Sequence, residues 1–177
     1  MKFSRVAVMM ALAIAAQACA QVKNESGAYV WYDGGRPRPL QMDRSLLADF
    51  GSQGEAGQEP VVRDNGVRIW RQQEQAAARA LAAGKTSPVF RDSEGGAMRT
   101  LPGNVIVRLD PAWTEPQLAA WLKKNSLVQL RRLPMGRNIL VVSAPPGLPS
   151  LELANRLQES GEVVSAQPEW WEQRSAR

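Results

Sequence analysis

The chain of 177 residues contains no histidine. Ser-His-Asp and Cys-His catalysis, and every metal site built on imidazole, are excluded from it. It has a single cysteine, Cys19, so thiol chemistry has one place to reside. Long apolar runs are missing too. The run without charge near the start, Val6 to Ala16, is too short to span a bilayer. Nor is there an excess of one charge. The chain carries 22 basic and 17 acidic residues, and the bases are spread among the acids rather than clustered. A nucleic-acid-binding patch is not indicated.

What the first twenty residues do contain is a pattern of export. Lys2 and Arg5 precede the apolar run, and Ala16-Gln-Ala18 and Ala18-Cys-Ala20 are small-x-small sites. This is the layout of a secretory signal peptide, with cleavage after Ala20 the preferred reading. The product would be periplasmic or secreted and would contain no cysteine, hence no disulfide. Removing Lys2 and Arg5 leaves 20 basic and 17 acidic residues, a net charge of +3. Lipidation at Cys19 is the less favoured reading, because Ala16-Gln17-Ala18 poorly matches the Leu-small-small pattern before an acylated cysteine. Without it, the mature chain has no membrane attachment.

Residues 21–97 read as an irregular, loop-rich extension with short strands and helices, partly flexible. Ala28–Tyr32 is strand-favouring, and Asp33-Gly34-Gly35 signals a turn. Pro37 and Pro39 demote a returning strand to an edge. Asp43 is placed to cap a short helix over 44–50, with Leu46, Leu47 and Phe50 on one face. Gly51–Pro60 is Gly/Gln/Glu-rich and reads as a loop. Asp64-Asn65-Gly66 predicts a hairpin turn between two apolar patches. Gln73–Ala83 is alanine-rich and predicts a helix, stopped at Gly84. Ser87–Asp92 reads as extended, and 93–96 as a turn. With so few large apolar residues, this half is expected to lean on the C-terminal half rather than bury its own core.

Residues 98–171 carry a clearer pattern. Val105, Val107 and Leu109 alternate with Ile106 and Arg108, as in a half-buried strand. Thr114-Glu-Pro-Gln117 is a capping box for a helix with Leu118, Trp121 and Leu122 as its apolar stripe. Strands come next at about 128–133 and 138–143. Ser150 is placed to cap a second helix with Leu153, Ala154 and Leu157 inward, and Gly161 to end it. A last strand covers about 162–167, and 172–177 is a tail. The fold class this predicts is α+β: strand, helix, strand, strand, helix, strand, the order of a ferredoxin-like βαββαβ domain, with two helices on one face of an antiparallel sheet.

The residues Gly103-Asn-Val-Ile-Val-Arg-Leu109, the capped helix, Asn138-Ile-Leu-Val-Val142 and Ser160-Gly-Glu-Val-Val-Ser-Ala-Gln-Pro168 form an ordered set. In this order they resemble the N-terminal propeptide of secreted bacterial subtilisin-like serine proteases. Segments 29–40, 67–71 and 87–92 resemble the extended N-terminal region of some of these precursors. Glu169 departs from the asparagine usual after Gln167-Pro168. The resemblance implies a partner, a subtilisin-like protease, and two actions on it: assisting its folding, and inhibiting it through the segment after the last strand lying in the substrate cleft. It implies no cofactor and no catalysis by this chain, which ends where a protease domain would be expected. Glu159 and Glu162 would face the partner's helix N-termini as anions. Gln167, Pro168, Glu169, Trp170 and Trp171 would lead into its cleft. The tryptophans have a plainer reading, folding back onto their own sheet, and the acids another, as solvated side chains. The free protein is expected to be a monomer. Two other readings stand beside this one: a periplasmic ferredoxin-like module for a small ligand or envelope partner, and the truncated front of a protease zymogen.

Overall fold

The computed structural model describes residues 28–51, 59–73, 84–93 and 95–174. The signal-peptide region, most of the 51–60 loop and the alanine-rich 74–83 segment lie outside them. The protein is α+β, with two helices and two antiparallel sheets among the described residues.

The first sheet has seven strands. They are β1 (Ala28–Asp33), β2 (Arg36–Asp49), β3 (Val62–Asp64), β4 (Val67–Arg71), β5 (Thr86–Arg91), β6 (Met98–Thr100) and β11 (Trp171–Glu172). Its order is β11-β6-β5-β2-β4-β3, with β1 paired to the first half of β2. Both hairpin turns read from the sequence form. Gly34 and Gly35 have φ +55° and +84°, and Asn65 and Gly66 have φ +46° and +80°. Two successive positive φ values match the twist of the flanking strands. Pro37 and Pro39 fall in the stretch of β2 that pairs with β1 alone, before β5 joins at Gln41. Their missing N–H groups therefore cost no second ladder.

Three expectations for this half are corrected. Residues 44–50 are not a helix: Leu46–Asp49 pair with β4, and Leu47–Asp49 also with β5. Pairing on both sides outweighs a weak local helical pattern. The register with β5 shifts between Asp43 and Leu47, and there the Ser45 amide and hydroxyl donate to Asp43 Oδ1. The half is also built of paired strands rather than an irregular extension. As expected, it leans on the C-terminal half: Ala48, Val67, Ile69, Val89 and Met98 pack with Trp171, and Trp31, Leu40 and Phe90 pack with Leu101 and Leu151. Finally, the boundary at residue 98 is crossed twice: β6 belongs to the first sheet, and the chain returns to it at β11. Trp171 Nε1 on one outer strand donates to Asp64 Oδ2 on the other at 3.2 Å, so the sheet curls until its two ends meet.

The second sheet holds β7 (Val105–Arg108), β8 (Gln129–Arg132), β9 (Ile139–Val142) and β10 (Ser165–Pro168), in the order β10-β7-β9-β8. Helix α1 (Glu115–Lys124) links β7 to β8, and α2 (Leu148–Glu159) links β9 to β10. At the start of α1, Gln117 Oε1 accepts from the Thr114 amide at 2.8 Å, the reach-back half of the capping box. Both helices bury their apolar sides in one cluster with Val105, Val107, Leu109, Leu140 and Val142. Helix α2 starts earlier than Ser150: Gly147 is its N-cap, and the buried Ser150 hydroxyl donates to the Gly147 carbonyl at 2.8 Å. Gly147 has φ +79°, and a Cβ there would lie 3.1 Å from the Thr86 carbonyl oxygen. Only glycine permits both the left-handed backbone and this approach of β5.

Within the first sheet, Arg68 and Asp49 stand opposite each other in register and form an ion pair at 2.5 Å, with side chains 9% and 7% exposed. Arg68 also donates to the Gly51 carbonyl, and Asp49 accepts from the Gly51 amide, both at 2.8 Å. Breaking such a pair leaves a buried charge uncompensated. Arg68→Ala should therefore lose about 3–5 kcal/mol in denaturant unfolding. Replacing both residues by apolar side chains of similar volume should lose less.

Candidate functional site

The strand registers lay the second sheet out in cross-strand rows, and residues directly opposite share a face. Ala166, Val107, Leu140 and Arg132 form one row, and Pro168, Val105, Val142 and Gln129 another. The buried members of both point to the helices. Between them, Gln167, Ile106, Val141 and Arg131 form a row on the opposite face, with Ser165, Arg108 and Ile139 beyond it. Val141 is fully buried under its neighbours, Ile106 and Gln167 are half-buried, and Arg108 and Arg131 are exposed. No helix of the described residues covers this face. What it presents is the half-buried Ile106 beside the Gln167 amide and the Arg108 guanidinium, with Arg131 paired to Glu169. Next to it, Val128, Leu130 and Met135, on and around β8, are 64%, 50% and 77% exposed.

The seven residues singled out from the sequence do not gather on this face. Gln167 does, opposite Ile106. Pro168 is buried opposite Val105 on the helix side. The three carboxylates all have partners in this chain. Glu159 accepts from the Tyr32 hydroxyl at 3.1 Å. Burial first, then this hydrogen bond and the negative charge, hold the Tyr32 phenol above its ordinary pKa. Glu162 accepts from Trp121 Nε1 at 3.1 Å and from Lys124. The Lys124 hydrogen bond is the main cause that keeps its carboxyl below the usual range. Glu169 is bonded to Arg131 and to Asn104 Nδ2, the latter at 3.2 Å. These acids tie segments of the fold together, and Glu159 remains exposed.

The two tryptophans fold back onto this chain, the plainer of their two readings: Trp171 is buried and Trp170 partly buried. Trp170 meets Trp31 and Phe90 edge-on, with ring centroids 5.5 and 6.0 Å apart, and Tyr29 meets Phe90 in the same way at 5.5 Å. Trp171 is 9% exposed, in the core beside Met98 and Val89. A pair of adjacent tryptophans reads from sequence as a sticky patch; here each ring fills a cluster built by strands far away in the chain. The row was legible only as an alternation, Ile106 and Arg108 between Val105, Val107 and Leu109.

A cleft of about 650 Å³ lies on the first sheet, lined by residues that include Met42, Asp43, Arg91 and Asp92. Its charges neutralise each other. Arg91 Nε pairs with Asp43 at 3.0 Å, and its Nη1 donates to the Gly96 carbonyl at 2.6 Å. A smaller neighbour of about 390 Å³ is lined by Trp31, Asp33, Arg38 and Arg99. There Arg99 pairs with Asp92 at 2.9 Å, and Arg38 lies 3.6 Å from Asp33. Among the described residues, no group of three or more Cys, Asp or Glu is placed to hold a metal ion. No family model, curated protein or solved structure matches this chain.

Two measurable outcomes arise from these contacts. Trp170→Ala should lower stability by about 3–5 kcal/mol, the range for deleting a large aromatic from a core. A rim residue would cost no more than about 0.5 kcal/mol. Denaturant unfolding tells the two apart. The second concerns Asp43. Burial opposes its ionisation, but the hydrogen bonds from Ser45 and Arg91 prevail and hold its pKa below the ordinary aspartate value. Its stabilisation is thus fully present above the unfolded value of about 4 and is lost as pH falls through the lower folded value. Thermal unfolding should show the advantage of wild type over Asp43→Asn shrinking as pH drops below about 4.

Proposed function

We propose that this chain is an exported, propeptide-like protein that binds a subtilisin-like serine protease, assisting its folding, inhibiting it, or both. In this reading residues 105–168 form a ferredoxin-like unit. The strand order β10-β7-β9-β8, with helical crossovers after β7 and β9, supports that assignment. The observation that supports the function is the row Gln167–Ile106–Val141–Arg131 on the face away from the helices, in which Ile106 is the apolar side chain that remains partly exposed. An apolar strip of this kind, rimmed by polar groups and backed by a packed core, suits the docking of a partner's surface helices. It supplies a rigid face whose side chains are already ordered, which lowers the entropy lost on binding. The segment after β10, whose expected role is to lie extended in the protease groove, is held to this fold as far as Gln173 and would have to detach to do so.

The internal partners of Glu159, Glu162 and Glu169 change how the complex would be held. Recognition rests on the apolar strip and on Arg108 beside it, rather than on carboxylates offered to helix N-termini. They also change the useful experiment. Deleting 168–177 would remove Trp170 and Trp171 from two cores and confound binding with unfolding. A single substitution on the open face avoids this. Residues 21–177 are mixed with purified subtilisin-like proteases from the same source, and peptide hydrolysis and the refolding yield of denatured protease are measured. Wild type should slow hydrolysis or raise the yield at micromolar concentration. Ile106→Glu should weaken either effect by about tenfold or more while changing stability by no more than about 1 kcal/mol. If wild type alters neither quantity, the reading is wrong.

A further inference from the structure

Arg131 and Glu169 belong to opposite sides of the second sheet. Arg131 lies on β8, one outer strand, and Glu169 directly follows β10, the other. Their side chains nevertheless form an ion pair. Glu169 is fixed beside the start of β7. Its amide donates to the Asn104 carbonyl, and Asn104 Nδ2 donates to the carboxylate oxygen that Arg131 does not use, both at 3.2 Å. Strand β9 separates β7 from β8. Neighbouring strands lie about 4.8 Å apart, so Arg131 has to cross the width of β9 to reach the carboxylate. Its register partner on β9 is Val141, and residues directly opposite point to the same face. The side chain therefore runs over β9 on the face turned away from the helices, starting at Val141. This accounts for the burial there. Val141 is 0% exposed although no helix of the described residues covers it, while Ile106, one strand farther along the row, is half-buried.

We propose that the Arg131–Glu169 pair is an autoinhibitory strap over the docking row, closed in the free protein and opened when a partner docks. The proposal rests on the protease-binding reading and adds a regulation of the same face. Such a role needs a weak tie, and this pair is one: its side chains are 50% and 29% exposed. An exposed ion pair favours its closed form by no more than about fivefold, and salt screens it. No strand lies beyond β8 among the described residues, so Arg131 can swing outward over the sheet edge. Glu169 keeps its bonds to Asn104. Opening leaves Val141 and Ile106 bare side by side, since the two are register partners on β9 and β7. That apolar patch is wider than the one the closed face offers. A partner that needs the open face meets only the open fraction of molecules, and its apparent affinity is reduced by that fraction.

Two variants remove the strap. Arg131→Ala deletes its arm, and Glu169→Gln keeps an acceptor for Asn104 but takes away the charge. Residues 21–177 of each are compared with wild type by NMR of the free protein, by thermal unfolding, and by the inhibition constant against a purified subtilisin-like protease at low and high salt. In free wild type, the Arg131 side-chain protons should show cross-relaxation with the Val141 methyl groups. The signal should weaken in Glu169→Gln and on adding salt. Both variants should unfold close to the wild-type temperature and inhibit about three- to fivefold more tightly at low salt. The advantage should shrink as salt screens the wild-type pair. Arg108→Ala, which removes a guanidinium from the same face but opens no strap, should inhibit less tightly, so that a gain is not a general effect of lost charge. Absence of the Arg131–Val141 contact in free wild type would show that no strap exists. Strapless variants that inhibit no better than wild type would overturn the autoinhibition and leave the protease reading intact. A wild type that inhibits no such protease sinks the reading itself, and the autoinhibition with it.

Discussion

Helix α2 is buried on two sides, and the arrangement of the whole molecule depends on that. Ala154 and Leu157 face the four-stranded sheet, while Leu151 faces the cluster of Trp31, Leu40, Phe90 and Leu101 on the seven-stranded one. An amphipathic helix usually covers one core and shows its other side to water. Here the second side is apolar as well, so exposure without the N-terminal sheet would be unfavourable. The fit is close at the helix start, where Gly147 lies against the Thr86 carbonyl and its amide bonds the Leu101 carbonyl at 2.9 Å. Along the helix, Asn155 Nδ2 donates to the Val30 carbonyl and Glu159 accepts from Tyr32. Polar contacts at the rim fix the register of the two sheets, and the apolar contacts in the middle hold them together.

How much of this was legible in the chain depends on the range of the interactions. The four strands and two helices between Val105 and Pro168 are encoded by alternation, an N-terminal cap and glycine at a helix end, all within a few residues of each other. The two hairpins before them are announced by Asp33-Gly34-Gly35 and Asp64-Asn65-Gly66, because positive φ at adjacent turn positions is a local demand. Residues 44–50 resisted reading because Leu46, Leu47 and Phe50 satisfy a helical spacing as well as a strand. The choice is made by β4 and β5, which lie beyond any local window. The tryptophans stood between two readings for the same reason. Nothing near Trp170 reveals that Trp31 and Phe90 wait for it.

The candidate site shows the same division. Sequence identifies a carboxylate but not the cation beside it, so Glu162 and Glu169 read as free anions although Lys124 and Arg131 hold them. Conversely, the row Gln167–Ile106–Val141–Arg131 comes from four strands and exists only once they are aligned. A binding face assembled this way is rigid because its opposite side is a packed core. Its chemistry is modest, the half-buried Ile106 with the Arg108 guanidinium beside it, which favours shape over charge in choosing a partner.

The curled first sheet has a consequence for the order in which the molecule assembles. Its closing contact joins Trp171 to Asp64, residues separated by 107 positions. The unit from Val105 to Pro168 has all its strands and helices within one continuous stretch. Closing a loop between distant residues costs more chain entropy than closing a short one, and contacts of long sequence separation form late. During synthesis, strands β1 to β6 emerge first but cannot complete their sheet until Trp171 arrives. On this argument the second sheet and α2 should form first and template the earlier half, with the residues just past Pro168 set last.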